Sequence, residues 1–296
     1  MFSGHTMAIG VRLGLAAAAL SMLGALIVVP GADAAKREQN HLDASGSPLV
    51  PNRFGFNDDA HRLLSQLQRM KRAGVDTVRF PVPEYPTPAA DKAYRRLRNA
   101  GIHPILVLGG WSGAPVADPD AYAQRCAAMA RRYPNATLAL WNEPNLGGHN
   151  TAPDPDQTPE AIAAMVTAAA EAIREVSPEH HILGPSVGPI KGWESYFEPL
   201  YRAIPRGLVD VGMNLYPRPN IPNPQLKRWY RMGANFGRVH VTEYDPAWMG
   251  GERTPEKVRD GIALLTGLGA HTVLLNSTHD QLDEWRAVLR AESEGP

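Results

Sequence analysis

Eight short apolar runs alternate with eight amphipathic helical patterns between residues 54 and 292. The apolar runs are FGFN (54–57), TVRFPV (77–82), PILVLGGW (104–111), ATLALWNE (136–143), HILGPSV (181–187), VDVGMNLY (209–216), RVHVTEY (238–244) and HTVLLNS (271–277). The helical patterns cover residues 61–74, 91–101, 120–133, 159–176, 193–204, 225–233, 255–269 and 281–292. Strict alternation of this kind predicts parallel strands joined by right-handed crossover helices, which can close into a barrel at this count.

A doubly wound open sheet is the alternative architecture for alternating strands and helices. That fold typically binds its ligand with a glycine-rich phosphate loop after the first strand. Here the first predicted strand continues as FGFNDDAH (54–61), without a run of glycines that could cradle a phosphate. We therefore predict a single (β/α)8 TIM barrel over residues 54–296, a length that suits a fold of about 250 residues.

The first 35 residues have the pattern of an export signal. Arg12 precedes the apolar run LGLAAAALSMLGALIVV (13–29), which is followed by Ala32 and Ala34 at small-x-small spacing. A basic start, an apolar stretch and such a site are the parts of a secretory signal peptide. We expect cleavage near Ala34, a polar linker over residues 36–53, and a secreted or cell-envelope protein. An uncleaved membrane anchor is the alternative, because the apolar run is long.

Charge balance and residue usage narrow the classes of partner and cofactor. The chain carries 30 basic and 30 acidic residues. This balance gives no support to binding of nucleic acid or of an anionic membrane, because such binding needs a basic face. Cys126 is the only cysteine, so no internal disulfide can form, and its helical surroundings indicate packing. No trio of ligand residues has metal-binding spacing, so we expect neither a metal nor another cofactor.

Polar and aromatic side chains end most of the predicted strands. In a barrel of parallel strands, all the carboxyl ends meet at one mouth, where the active site lies. The strand pattern places these residues at or near that mouth: Arg79, Trp111, Trp141, Asn142, Glu143, Asn214, Tyr216, Glu243, Trp248 and Asn276. Two glutamates thus end strands four and seven at matching heights.

Paired carboxyl groups are what cleavage of a glycosidic bond requires. One must be protonated to donate to the leaving oxygen, and the other must be ionised to meet positive charge at the anomeric carbon. Arg79 and Tyr216 would hold Glu243 ionised, and Asn142 could bind the 2-hydroxyl of the sugar. Tryptophan rings offer apolar faces on which sugars stack.

The motifs WNEPN on strand four and VTEY on strand seven resemble those of the clan A glycoside hydrolases, retaining enzymes built on this barrel. The resemblance implies that Glu143 is the general acid/base and Glu243 the nucleophile, and it also covers Arg79, Asn142 and Tyr216. The chain departs from the family at three points. Asn214 stands where many members have histidine, strand eight ends LLNST without the usual tryptophan, and strand three ends GGW without a histidine.

Several of these residues have a second interpretation. Glu84 is a rival acid, although its place after strand two is typical of a helix N-terminus. Asp245 replaces Glu243 if the register of strand seven differs by two residues. Arg79 could be a structural ion-pair partner. Trp111, Trp141 and Trp248 could each be core residues instead of sugar platforms.

These predictions together describe an exported, monomeric, retaining glycoside hydrolase that acts on a polysaccharide or glycoconjugate. Short connections on the catalytic side favour an open groove and endo cleavage, and the two carboxyl groups should lie about 5–5.5 Å apart. A transglycosylase on the same scaffold and a non-catalytic carbohydrate-binding barrel are the alternatives. An aldolase is disfavoured because no predicted strand ends in lysine.

Overall fold

The computed structural model describes residues 53–57, 60–72, 74–82, 86–109, 118–146, 156–217, 223–246 and 254–276. All of them belong to one unit of the chain, His41–Pro296. The predicted signal peptide, the linker up to residue 52 and the last predicted helix (281–292) lie outside the described residues. Within the described ranges, no helix combines the length and the apolar character needed to cross a membrane.

Strands and helices alternate along the described chain, as the sequence predicts. The strands are β1 (Arg53–Asn57), β2 (Thr77–Val82), β3 (His103–Leu108), β4 (Thr137–Leu140), β5 (His181–Leu183), β6 (Val211–Leu215), β7 (Val239–Tyr244) and β8 (Thr272–Leu275). The helices between them are α1 (Ala60–Arg72), α2 (Pro88–Asn99), α3 (Pro119–Arg132), α4 (Pro159–Val176), α5 (Glu194–Ala203), α6 (Asn223–Ala234) and α7 (Pro255–Gly267).

The eight strands form one parallel sheet in the order β5-β4-β3-β2-β1-β8-β7-β6. The outermost strands, β5 and β6, are joined through isolated parallel bridges from Leu183 to Asp210 and from Val187 to Met213. Each of the strands β1 to β7 is followed by a helix that returns the chain to the start of the next strand. This is the (β/α)8 barrel that the alternation predicts.

Successive strand residues point alternately into the barrel and toward the helices. The interior cluster consists of Ile105, Val107, Ala139, Leu183 and Leu274. Their neighbours Leu106 and Leu138 belong to the larger core, together with the helix faces. On β2, Val78 and Phe80 also belong to that larger core. The alternation therefore directs Arg79, which lies between them, into the barrel.

Helix starts in this chain repeat one local signal. Thr87, Asp118, Thr158 and Thr254 each precede a proline, and each side chain accepts a hydrogen bond from a backbone N–H of the first turn. A cap of this kind stabilises a helix by about 1 kcal/mol, and proline fits the first helical position. The cap at Thr87 explains why α2 begins three residues before the predicted residue 91.

Several strands end earlier than the apolar pattern predicts, and β4 and β5 show the physical reason. β4 stops at Leu140, because Trp141 adopts a left-handed φ of 65° that no extended strand contains. β5 stops at Leu183, because Gly184 and Pro185 follow and proline lacks the N–H that a ladder needs. The segments predicted as strand ends therefore lie directly beyond the strands and keep only isolated bridges.

Candidate active site

The structure brings the predicted polar residues together at the carboxyl end of the barrel. Arg79 lies on β2, Asn142 and Glu143 follow β4, Asn214 and Tyr216 lie at the end of β6, Glu243 lies on β7 and Asn276 follows β8. Parallel strands direct their carboxyl ends to one rim, so residues far apart in sequence become neighbours. Hydrogen bonds across gaps of 60 to 164 residues connect this group.

Glu243 is surrounded by donors. The Arg79 guanidinium donates through Nη1 to Oε1 of Glu243 at 2.6 Å, and the hydroxyl of Tyr216 donates to Oε2. Asn276 in turn donates through Nδ2 to the Tyr216 hydroxyl at 2.7 Å. Glu243 is 6% exposed, so these bonds form away from bulk water. Glu243 thus accepts hydrogen bonds from one cation and from one hydroxyl group.

Tyr216 keeps its proton in this arrangement. Burial, followed by the negative charge of Glu243, raises the pKa of the Tyr216 phenol well above its ordinary value. The phenol is therefore a permanent donor to the carboxylate at physiological pH. Its hydroxyl oxygen also accepts from Asn276, so both of its hydrogen-bonding functions are directed within the site.

Glu143 lies in the opposite electrostatic situation. Burial of its carboxyl group, followed by the charge of Glu243, raises the pKa of Glu143 from 4.5 to about 7. A hydrogen bond of 2.9 Å from Nδ2 of Asn214 to Oε1 acts against this rise, as does the charge of Arg79. A carboxyl group with this pKa can hold a proton at neutral pH and can also release it.

The backbone that presents Glu143 is strained and held from both sides. Trp141 and Glu143 have φ values of 65° and 48°, which lie in a region where residues other than glycine are uncommon. The Trp141 N–H donates to the Leu108 carbonyl at 3.1 Å, and the Glu143 N–H donates to the Ser186 carbonyl at 2.7 Å. Strained residues persist where the surrounding structure over-determines them, typically at functional sites.

A register shift in β7 directs two successive residues into the barrel. The pairing of β7 with β8 is irregular between Val241 and Tyr244. Thr242 and Glu243, which would face opposite sides of a regular strand, both contact interior residues, Asn214 and Arg79 respectively. Bulges of this type commonly re-aim side chains beside active sites.

The remaining predicted binding residues differ in their surroundings. Asn142 accepts a hydrogen bond from Nη2 of Arg79 on Oδ1 at 2.5 Å, which leaves its amide nitrogen to donate to a ligand. Trp141 is 3% exposed and packs edge-on against Tyr122, so the structure favours a packing role over contact with substrate. Asn214 is 1% exposed and contacts Glu143.

Three other predicted positions fall in parts of the chain that the structure does not describe. Trp111, Trp248 and the rival acid Glu84 lie outside the described residues. Asp245, the alternative carboxylate of strand seven, comes one residue after β7, whereas Glu243 is the residue that pairs with Arg79. Among the described residues, no group of three His, Cys, Asp or Glu side chains is placed to hold a metal ion.

Sequence reasoning missed the residues that support the Glu143 turn. Asn145 forms two hydrogen bonds of 2.7 Å with the backbone of Gly188, one through Nδ2 and one through Oδ1. Gly188 packs closely at this point, because a Cβ there would lie 2.8 Å from the Leu146 side chain and 3.2 Å from Oε1 of Glu143. The asparagine that ends WNEPN was the available signal, since it was the one polar residue of the motif without an assigned role.

Comparisons with known proteins support the architecture through structure and not through sequence. No protein-family model and no curated protein matches the chain. An endo-1,4-β-mannanase from Rhizomucor miehei superposes with a TM-score of 0.62 at 13% identity, over 86% of this chain and 97% of the mannanase. An endoglucanase from Pseudomonas stutzeri, solved with cellobiose, gives 0.56 at 14% identity over 84% and 94%.

A third solved structure, the catalytic domain of a mannanase from Streptomyces sp. SirexAA-E, gives a TM-score of 0.55 at 16% identity. It matches 79% of this chain and 77% of the mannanase domain. The chain therefore shares the barrel fold of these three enzymes. At identities this low, structural similarity establishes the fold alone. The roles of Glu143, Glu243 and the binding residues stay predictions that depend on the site itself.

Proposed function

We propose that this protein is a retaining glycoside hydrolase that cleaves O-glycosidic bonds by double displacement. The observation that carries the proposal is the contrast between the buried carboxyl group of Glu243 and the partly buried one of Glu143. Glu243 accepts hydrogen bonds from Arg79 and Tyr216, whereas burial and the nearby charge raise the pKa of Glu143 to about 7. A nucleophile that stays ionised and an acid that stays protonated are the two groups that the reaction needs.

In the first step, a carboxylate oxygen of Glu243 attacks the anomeric carbon, and the bond from that carbon to the leaving oxygen breaks. Glu143 transfers its proton to the leaving oxygen, so a neutral alcohol departs. The amide nitrogen of Asn142, whose oxygen is occupied by Arg79, is available to donate to the sugar 2-hydroxyl. Such a bond strengthens in the transition state.

In the second step, Glu143 is the base. It takes a proton from water as the water oxygen attacks the anomeric carbon and the ester to Glu243 breaks. Once Glu243 is esterified it carries no charge, and that charge is one of the two causes that raise the pKa of Glu143. The pKa of Glu143 therefore falls in the intermediate, which suits its change from acid to base.

The proposed substrate is an extracellular or cell-envelope polysaccharide or glycoconjugate. The predicted export signal in residues 1–35 supports this location, and the short predicted connections favour endo cleavage. The structural neighbours include enzymes named as an endo-1,4-β-mannanase and an endoglucanase. Mannan and β-linked glucan are therefore the first polymers to test.

A panel of aryl glycosides and polysaccharides, assayed with the wild type and with Glu143→Ala, tests the proposal. The alanine variant should form the glycosyl-enzyme from activated aryl glycosides but hydrolyse it slowly, and azide should restore turnover by attacking the intermediate in place of activated water. Glu243→Ala should be inactive, and azide should not restore its turnover through a glycosyl-enzyme.

Glu171→Gln, an exposed substitution in α4, is the matched control and should retain full activity. If Glu143→Ala turned over substrate as fast as the wild type, the assignment of Glu143 as the acid/base would be contradicted. Binding of sugars without turnover in the wild type would identify the non-catalytic alternative, and transfer to a sugar acceptor in preference to water would identify a transglycosylase.

A further inference from the structure

Behind Glu143 lies a chain of buried hydrogen bonds that the proposed reaction does not use. Ser186 and Thr242 share a hydrogen bond of 2.6 Å between their hydroxyl oxygens, and Thr242 donates to Oδ1 of Asn214 at 2.9 Å. Asn214 then donates through Nδ2 to Oε1 of Glu143 at 2.9 Å. The three supporting residues are at most 1% exposed. We call Ser186, Thr242 and Asn214 the amide-orienting chain.

The number of hydroxyl hydrogens determines which residue donates in each hydrogen bond of the amide-orienting chain. A threonine hydroxyl has one hydrogen, and that of Thr242 is directed at Asn214. Ser186 must therefore supply the hydrogen for its bond with Thr242. Because Oδ1 of Asn214 is occupied by the threonine hydroxyl, the NH2 group is the part of the amide that faces Glu143.

The orientation of the amide matters for an acid. In the observed orientation, Asn214 donates to Oε1 of Glu143, which stabilises the carboxylate that forms when the proton leaves. Turned over, the amide would present its oxygen to Glu143, accept a hydrogen bond from the protonated acid and hold the proton in the protein interior. Both orientations fill the same space, so hydrogen bonding alone selects between them.

We infer that the amide-orienting chain positions Glu143 for proton transfer by keeping the NH2 group of Asn214 on Oε1, so that the transferable proton resides on Oε2. This inference rests on the proposed function and deepens it. Gly188 lies beside the same oxygen, since a Cβ at this glycine would be 3.2 Å from Oε1. Ser186, Thr242 and Asn214 are positioning residues.

Thr242→Val is the direct test, because valine keeps the shape of threonine and removes the hydroxyl. We expect the pKa of Glu143 to rise by about one pH unit, since a hydrogen bond to a charged group favours the charged form. Carbon-13 NMR titration of glutamate carboxyl groups measures this value, and the Glu143→Gln spectrum identifies the signal. In Thr242→Ser, which keeps the hydroxyl, Glu143 should titrate as it does in the wild type.

Thr77→Val is the matched control. Thr77 is a fully buried threonine at the start of β2, at the other end of the barrel, and its hydroxyl has no hydrogen-bond partner among the described residues. This variant should leave the titration of Glu143 unchanged. On substrates cleaved in the proposed reaction, Thr242→Val should lower kcat about tenfold for poor leaving groups, and much less for aryl groups that depart without an acid.

A folded Thr242→Val protein in which Glu143 titrates at the wild-type pKa would overturn the inference. If that variant does not fold, as judged by circular dichroism, Ser186→Ala makes the same test from the far end of the chain, with a rise of pKa supporting the inference and no change refuting it. The NMR titration needs no substrate. A failure of the proposed glycosidase activity is thereby distinguished from a failure of this inference.

Discussion

Replacing Glu143 by glutamine should stabilise the folded protein at alkaline pH while removing the proposed acid. Glutamine has nearly the same shape as a protonated glutamate and cannot ionise. In the wild type, burial and the charge of Glu243 make ionisation of Glu143 unfavourable, raising its pKa to about 7. The variant is free of this penalty, so its advantage should grow with pH.

The magnitude follows from the difference between the folded and unfolded pKa values. The folded protein binds the Glu143 proton more tightly, so its contribution to stability is fully present below the unfolded pKa of 4.5 and is lost as the pH rises through about 7. The pKa difference corresponds to roughly 3 kcal/mol in the free energy of unfolding. Wild type and variant should therefore diverge by about that amount between about pH 4.5 and about pH 8.

Urea unfolding followed by tryptophan fluorescence, at intervals from about pH 5 to about pH 8, measures this divergence. Glu171→Gln, an exposed substitution in α4, is the control and should follow the wild-type curve. A constant difference between wild type and Glu143→Gln over this range would refute the reasoning, because it would mean that Glu143 ionises as easily in the folded protein as in the unfolded chain.

Three further outcomes are expected. The kcat/KM of the wild type on substrates with poor leaving groups should fall above about pH 7, as Glu143 loses the proton that it donates, and a pH–rate profile checks this limb. Arg79→Leu should cost about 3–5 kcal/mol in urea unfolding, because it leaves the buried carboxylate of Glu243 without its cation. Gly261→Ala should lower the unfolding free energy by about 1–3 kcal/mol, measured in the same way, because a Cβ in α7 would clash with the Tyr244 hydroxyl.

Much of the fold could be predicted from the sequence, because the alternation of strands and helices is a local property of the residues. The helix α4 (Pro159–Val176) begins and ends where its cap and pattern predict. The errors occur where a backbone feature overrides an apolar run. Pro185 ends β5 by removing a ladder donor, and Trp141 leaves the extended region although its side chain is typical of strands.

The site divides in the same manner. Residues at strand ends could be predicted, because parallel strands bring all their carboxyl ends to one rim, and the contacts of Arg79 and Tyr216 with Glu243 are present in the structure. The positions of Ser186 and Thr242 depend on an isolated bridge after β5 and on a register shift in β7. No local pattern encodes such features, because they are set by the pairing of distant segments.

The two glutamates should fare differently under mutation and selection. Glu243 balances the charge of the buried Arg79, so a lineage that no longer used the chemistry would still lose stability by discarding either partner alone. Glu143 is a burden to the fold whenever it ionises, so it would be replaced early once activity ceased to matter. In related barrels, retention of the arginine–glutamate pair is therefore weak evidence of enzymatic activity, whereas retention of the glutamate after β4 is strong evidence of it.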